Sequence, residues 1–262
     1  MKYFLRILFL VVLVLIIFLY FKQNSSYSPN FSSSLTPIPT IIDTSHQLSL
    51  NNQNYRYYYY LIPQNSTLNL IPNFSSPRSA SQIIKNHCDF AINGGLYTQE
   101  SKPVGLFYLN NQSLGQQITH QTFNGFLTQN KNNILDVSSQ DVFNNDLTQY
   151  NFALQSGPFY NFTTTYSSTD FVNHEFSRRH LIAKDSQNNF YFFSISLTDN
   201  AFDGPRLEDI PAFFNHFEIQ KIAKFIQALN LDGGAASTFY DGNYLVEEIT
   251  PVGSILCGTL NP

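Results

Sequence analysis

Three glycine-centred segments are the places where this chain is equipped for chemistry. They are Ala91-Ile92-Asn93-Gly94-Gly95, Gln155-Ser156-Gly157-Pro158 and the run at residues 229–237, Leu-Asn-Leu-Asp-Gly-Gly-Ala-Ala-Ser. The first and third share a form: apolar residues of strand type, then a polar residue, then paired glycines. Such a run can present Asn93 or Asp232 at a strand end while the glycines let backbone N–H groups approach a ligand closely. Any one of these segments, taken alone, also reads as a tight turn. None is a nucleotide-type phosphate loop, because no Gly-Lys-Ser/Thr follows. The adjacent cations Arg178 and Arg179 are the next candidates. A guanidinium offers a planar fork to phosphate or carboxylate, or simply a surface ion pair. Neighbouring strand residues point to opposite faces, so one arginine of the two is expected at a site.

The elements that must position these groups are short and mostly extended. Strand patterns occupy residues 55–62, 66–71, 88–93, 104–109, 123–128 and 152–155. Residues 181–184 and 190–197 flank a turn and read as a hairpin. A short helix is expected over 81–87. Helical spacing continues through 207–229, at Ile210, Phe213, Phe214, Phe217, Ile222, Phe225, Ile226 and Leu229, which predicts two helices. Strands dominate and helices are local, so the expected class is α+β, a single domain with mixed β-sheets.

Before the domain stands a segment of another kind. Lys2 and Arg6 precede an unbroken apolar run at residues 7–21, with Lys22 after it. Residues 1–22 read as a signal anchor, with a cleaved signal peptide as the alternative. The preceding positive charges put the rest of the chain outside the cytoplasm in either case, whether periplasmic or extracellular. Residues 23–40 are rich in Ser, Asn and Pro and read as a flexible tether, leaving 41–262 as the domain. With 14 basic against 18 acidic residues and no basic cluster, nucleic acid is not an expected partner. Cys88 and Cys257 are the two cysteines. In an oxidising compartment they either pair or stay reduced and buried. Their spacing relative to His87 predicts no zinc site, and no cofactor is expected.

Taken together and in order, the motifs resemble the phosphodiester glycosidase family. The residues that carry the resemblance are Asn93-Gly94-Gly95, Pro103-Val104-Gly105-Leu106, Ser156-Gly157-Pro158, Arg179 before Leu181-Ile182-Ala183, and Asn230-Leu231-Asp232-Gly233-Gly234 with Ser237. The similarity runs from about Tyr55 to the C-terminus. Two departures stand out: Ala236 occupies a position where the family often has serine, and His180 one where it usually has a small hydroxyl residue. The resemblance implies cleavage between the anomeric carbon and a phosphate oxygen of a sugar-1-phosphodiester. Its oxocarbenium-like transition state favours a nearby carboxylate, which the resemblance assigns to Asp232 as nucleophile or electrostatic partner. Arg179 is then the group that neutralises the departing phosphate. Asn93, Gly94, Gly95, Ser156, Gly157, Gly233, Gly234 and Ser237 are expected to bind substrate. Asp199 is ranked first as a second carboxylate, ahead of Glu100, Glu175 and Asp203, while His174 and His180 flank the arginines. The expected partners are a glycan or sugar-phosphate substrate and, through the N-terminal segment, a membrane. Two other readings stay open: a catalytically silent glycan-binding or envelope-assembly protein, and a serine hydrolase using Ser156 or Ser237. The latter lacks the Gly-x-Ser-x-Gly elbow.

Overall fold

The structure is a computed structural model that describes residues 44–85, 87–164 and 175–261. The apolar run at 7–21, the tether and His174 lie outside the described residues. Among those described, no helix is long and apolar enough to cross a membrane.

Strands, numbered in chain order, form three sheets. The first runs β1 (His46–Leu50), β2 (Gln53–Leu61), β12 (Phe190–Leu197), β11 (Arg179–Asp185), β13 (Phe225–Asn230), β10 (Phe159–Asn161). The second runs β15 (Leu245–Val246), β14 (Phe239–Tyr240), β4 (Phe90–Asn93), β16 (Ser254–Leu260), β3 (Ser66–Pro72). The third runs β6 (Gln112–Gly115), β5 (Phe107–Leu109), β9 (Tyr150–Ser156), β7 (Gly125–Asn130), β8 (Leu135–Ser139). The class is as expected, mostly sheet with few helices. The sheets, expected to be mixed, are antiparallel at every described pairing. The pairs β1–β2, β5–β6, β7–β8, β11–β12 and β14–β15 are hairpins, and a short turn can join only antiparallel neighbours.

The tyrosine block of β2 shows how sequence becomes layer. Side chains alternate across a strand, so Tyr58 and Tyr60 face a core shared by all three sheets. There they meet Phe90, Ile92, Leu127, Leu154, Phe192 and Leu229. Tyr55, Tyr57 and Tyr59 face the other way, onto a second cluster with Phe193 and the aromatic pair Phe213 and Phe214. That pair lies on a short helix, α2 (Ile210–Asn215), which α3 (Phe217–Gln220) follows. An earlier helix, α1 (Ala80–Ile84), begins at Ser79, whose hydroxyl and Gln82 form a reciprocal capping box. The disulfide between Cys88 and Cys257 ties the chain ahead of β4 to β16, settling the alternative left by the sequence.

One element differs from expectation. The helical spacing at Phe225, Ile226 and Leu229 belongs to β13, a strand flanked on both sides by β10 and β11. Periodicity cannot separate a short buried strand from a buried helical turn. The partners on both edges decide for the strand.

Candidate functional site

β13 carries the catalytic candidate to its place. After Asn230 the chain leaves the sheet but remains pinned. Leu231 N–H donates to His180 O at 2.8 Å, Asp232 N–H to Gly94 O at 3.1 Å, and Gly234 N–H to Arg178 O at 2.9 Å. The glycine pair is required by this route. A Cβ on Gly233 would stand 2.4 Å from Arg178 O, and Gly234 has φ of +60°. The Gly233 N–H in turn donates to Asp232 Oδ1 at 2.8 Å.

Beneath this turn lies a saturated polar network. Asn93, 1% exposed, donates from Nδ2 to Gly94 O at 3.0 Å and Asp232 O at 2.9 Å. Its Oδ1 accepts from Thr238 N–H at 3.1 Å and from His180 Nδ1. His180 Nε2 then accepts from Ser194 Oγ at 2.9 Å. Both amide hydrogens and both lone pairs of Asn93 are therefore committed inside the protein. His180 is fully buried, and burial together with the nearby Arg178 charge pushes its pKa well below the ordinary value. Asn93 and His180 hold the backbone of Asp232 in place, and neither lines the cleft described next.

The cleft has a volume of about 530 Å³ and is lined by Asp232, Gly233, Gly234, Arg179, Gly157 and Asn230. His120, Thr122 and Phe123 also line it, as do Glu175, Ser177 and Ala236. Asp232 opens to the cleft on one side and is enclosed by protein on the others. Burial raises its pKa from 3.8 to about 7, against the opposing pull of the Gly233 N–H. Among the described residues Asp232 takes part in no ion pair. Asn230, 4% exposed, donates from Nδ2 to Gly157 O and Leu231 O, while its Oδ1 has no partner.

The two arginines diverge. Arg178 turns inward, bonding Ser237 Oγ at 2.7 Å, Ser237 O at 2.6 Å and Glu247 O at 3.0 Å. Arg179 donates to Pro205 O at 2.9 Å and Glu175 O at 2.6 Å, and it lines the cleft. Burial draws its pKa below the ordinary guanidinium value, with Tyr160 and Glu175 opposing. A buried cation and a carboxyl poised near neutrality on the walls of one cleft can bind an anion and exchange a proton in one place.

Of the residues expected from sequence, Asp232, Arg179, Gly157, Gly233 and Gly234 meet here. The others stand behind or apart. Gly94 supplies the carbonyl under Asp232, and Gly95 packs on Leu154. Ser156 Oγ donates to Asn230 O, and Ser237 Oγ donates to Gly234 O while accepting from Arg178. Asp199 is exposed past the end of β12 and does not line the cleft. Glu175, just ahead of β11, is the carboxylate among the other sequence candidates that does line the cleft. His120 was missed: it sits in an irregular loop with no periodic or motif signal.

A second, larger groove of about 850 Å³ lies at the opposite end of β11, about 17 Å along the strand. Its lining includes Lys184, Asp136 and many turn asparagines.

Comparison with known proteins places these features in context. A sequence model of the family described as phosphodiester glycosidase matches residues 86–257. The catalytic domain of zebrafish N-acetylglucosamine-1-phosphodiester alpha-N-acetylglucosaminidase, solved in a form auto-inhibited by its pro-peptide, superposes with a TM-score of 0.56. Identity is 14%, over 81% of this chain and 80% of that one. A hypothetical protein from Synechocystis superposes with a TM-score of 0.52 at 11% identity, over 83% of this chain and 61% of that one. These likenesses establish a shared fold. No curated protein matches in sequence.

Proposed function

The chain belongs to the phosphodiester glycosidase family, and from that premise we propose that it hydrolyses a sugar-1-phosphodiester within an exported glycoconjugate. The observation that carries the reading is the meeting of Asp232 and Arg179, from separate strands, on one cleft. In the proposed reaction water adds to the anomeric carbon as the bond to the phosphate oxygen breaks, and the bonding pair leaves with the phosphate. Ionised Asp232 faces the positive charge that develops on the sugar, either attacking it or taking the proton of the incoming water. Arg179 meets the phosphate oxygens, a group that leaves well and needs neutralisation more than protonation. Glu175 is the second carboxyl at the same cleft. Gly157, Gly233 and Gly234 allow close approach of the substrate.

Export rests on the N-terminal apolar run and agrees with the disulfide, a bond that persists in oxidising compartments. A second reading, a silent glycan-binding scaffold, draws on Ala236, which gives the cleft wall a methyl group where relatives often carry a hydroxyl. The deciding experiment is release of free sugar from an N-acetylglucosamine-1-phosphodiester, with a p-nitrophenyl glycoside as the uncharged comparison. Turnover of the phosphodiester supports hydrolysis. Saturable binding of the sugar without turnover would establish the scaffold instead.

A further inference from the structure

We propose that His120 contacts the substrate directly, donating a hydrogen bond from Nε2–H to a phosphate oxygen held in the Asp232–Arg179 cleft. The proposal rests on the phosphodiester reading of that cleft and adds to it a residue that no motif marks.

An exposed histidine is ordinarily free to change rotamer, but His120 is not. Its Nδ1 accepts from Thr122 N–H at 3.1 Å and, at 3.4 Å, from Phe123 N–H. Its ring stacks on Phe123 with centroids 4.8 Å apart and an interplanar angle of 29°. The loop beneath is fastened in turn by Gln155, a fully buried side chain on β9. Gln155 Oε1 accepts from Leu106 N–H and Ile118 N–H, both at 3.0 Å. Its Nε2 donates to Ile118 O at 2.6 Å and Phe123 O at 2.7 Å. All four hydrogen-bonding positions of that amide are spent, three of them on the two ends of the His120 loop.

The hydrogen bonds also fix the tautomer. A nitrogen that accepts from backbone N–H groups carries no proton, so the ring proton sits on Nε2. Among the described residues none accepts from Nε2. The result is a single donor with a restrained ring, on the wall of the cleft that also holds Arg179 and Asp232. A lone N–H donor suits an oxygen that only accepts, and the anionic oxygens of phosphate are the strongest such acceptors.

The test pairs two measurements on the full chain: binding of inorganic phosphate, followed through the histidine ring resonances, and hydrolysis of an N-acetylglucosamine-1-phosphodiester. The informative variant is His120→Asn, whose Oδ1 can replace Nδ1 under the Thr122 N–H while removing the Nε2 donor. Phosphate is expected to shift the His120 ring signals saturably, and His120→Asn to weaken phosphate binding about tenfold or more with an unchanged melting temperature. His120→Gln, which restores a terminal N–H donor, is expected to recover part of that loss. Unmoved ring signals, or phosphate binding in His120→Asn equal to wild type, would overturn the proposal whatever the turnover. Phosphate binding that depends on His120, in a protein that turns over no phosphodiester, would instead sink the hydrolase reading and leave the contact standing.

Discussion

The two cavities at the ends of β11 differ in a way that size does not predict. The larger groove holds Lys184 and Asp136 as a pair, Nζ to Oδ1 at 2.9 Å, with the carboxyl side chain 51% exposed. Its charges cancel and stay partly hydrated. The smaller cleft holds Asp232 enclosed and, among the described residues, without an ion pair, together with an unpartnered amide oxygen on Asn230 and the buried guanidinium of Arg179, whose bonds run to main-chain carbonyls. Leaving such groups uncompensated opposes folding, and a fold retains that cost where a ligand or a reaction uses it. Uncompensated polarity, more than volume, marks the site.

The largest effect that could break this contrast is at Asp232. Asp232→Asn is expected to reduce phosphodiester turnover by about 3–4 kcal/mol of transition-state stabilisation while sparing binding, since the amide keeps the shape. The same change should stabilise the fold in alkaline solution. The native carboxyl holds its proton up to about pH 7, against 3.8 as the ordinary value. Between those limits the native state binds more protons than the unfolded chain, so stability falls as pH rises. The penalty is complete above about pH 7, at roughly 4 kcal/mol. Denaturant melts at pH 4 and pH 8 check this: the variant should match wild type at the lower pH and exceed it at the higher. A variant less stable at pH 8 would make the carboxylate a structural group, and the contrast would collapse.

A smaller effect is expected at Arg179. Arg179→Lys keeps a charge and loses the fork, so kcat/KM for the phosphodiester should fall about tenfold, or ~1.4 kcal/mol. A substrate with an uncharged aryl leaving group should respond much less. Equal losses on both substrates would show that the arginine serves chiefly to hold Pro205 and Glu175 through their carbonyls.

What could be read from sequence follows from which interactions are local. Asp232 was legible because a strand ending in paired glycines is a local pattern, and the same holds for the hairpin of β11 and β12 and the helix begun by Ser79. The divergence of Arg178 and Arg179 follows from strand alternation alone. Asn93 was legible as a special residue, yet the work of its side chain was not: its partners Thr238, His180 and Asp232 arrive from distant parts of the chain. β13 was misread because its identity depends on β10 and β11 on either side. His120 gave no signal, since what restrains it is Gln155, a residue from another strand whose side chain reaches beneath the loop.

The last prediction concerns the larger groove and the smallest effect. If paired, hydrated charges mark a passive surface, Lys184→Met and Asp136→Asn should leave phosphodiester turnover within about twofold of wild type, singly or together. Methionine keeps much of the apolar stem that lies near the Phe190 ring, where Lys184 Nζ stands 5.6 Å from the centroid. The loss is then confined to the ion pair itself. A double-mutant cycle should return a coupling of about 0.2–1 kcal/mol, the range for partly exposed pairs, and it should shrink as salt is raised. A drop in turnover beyond about fivefold in either single variant, with stability held, would mean that the groove grips a distal part of the substrate. In that event volume would have marked a functional surface after all, and the contrast between the two ends of β11 would be one between two binding regions.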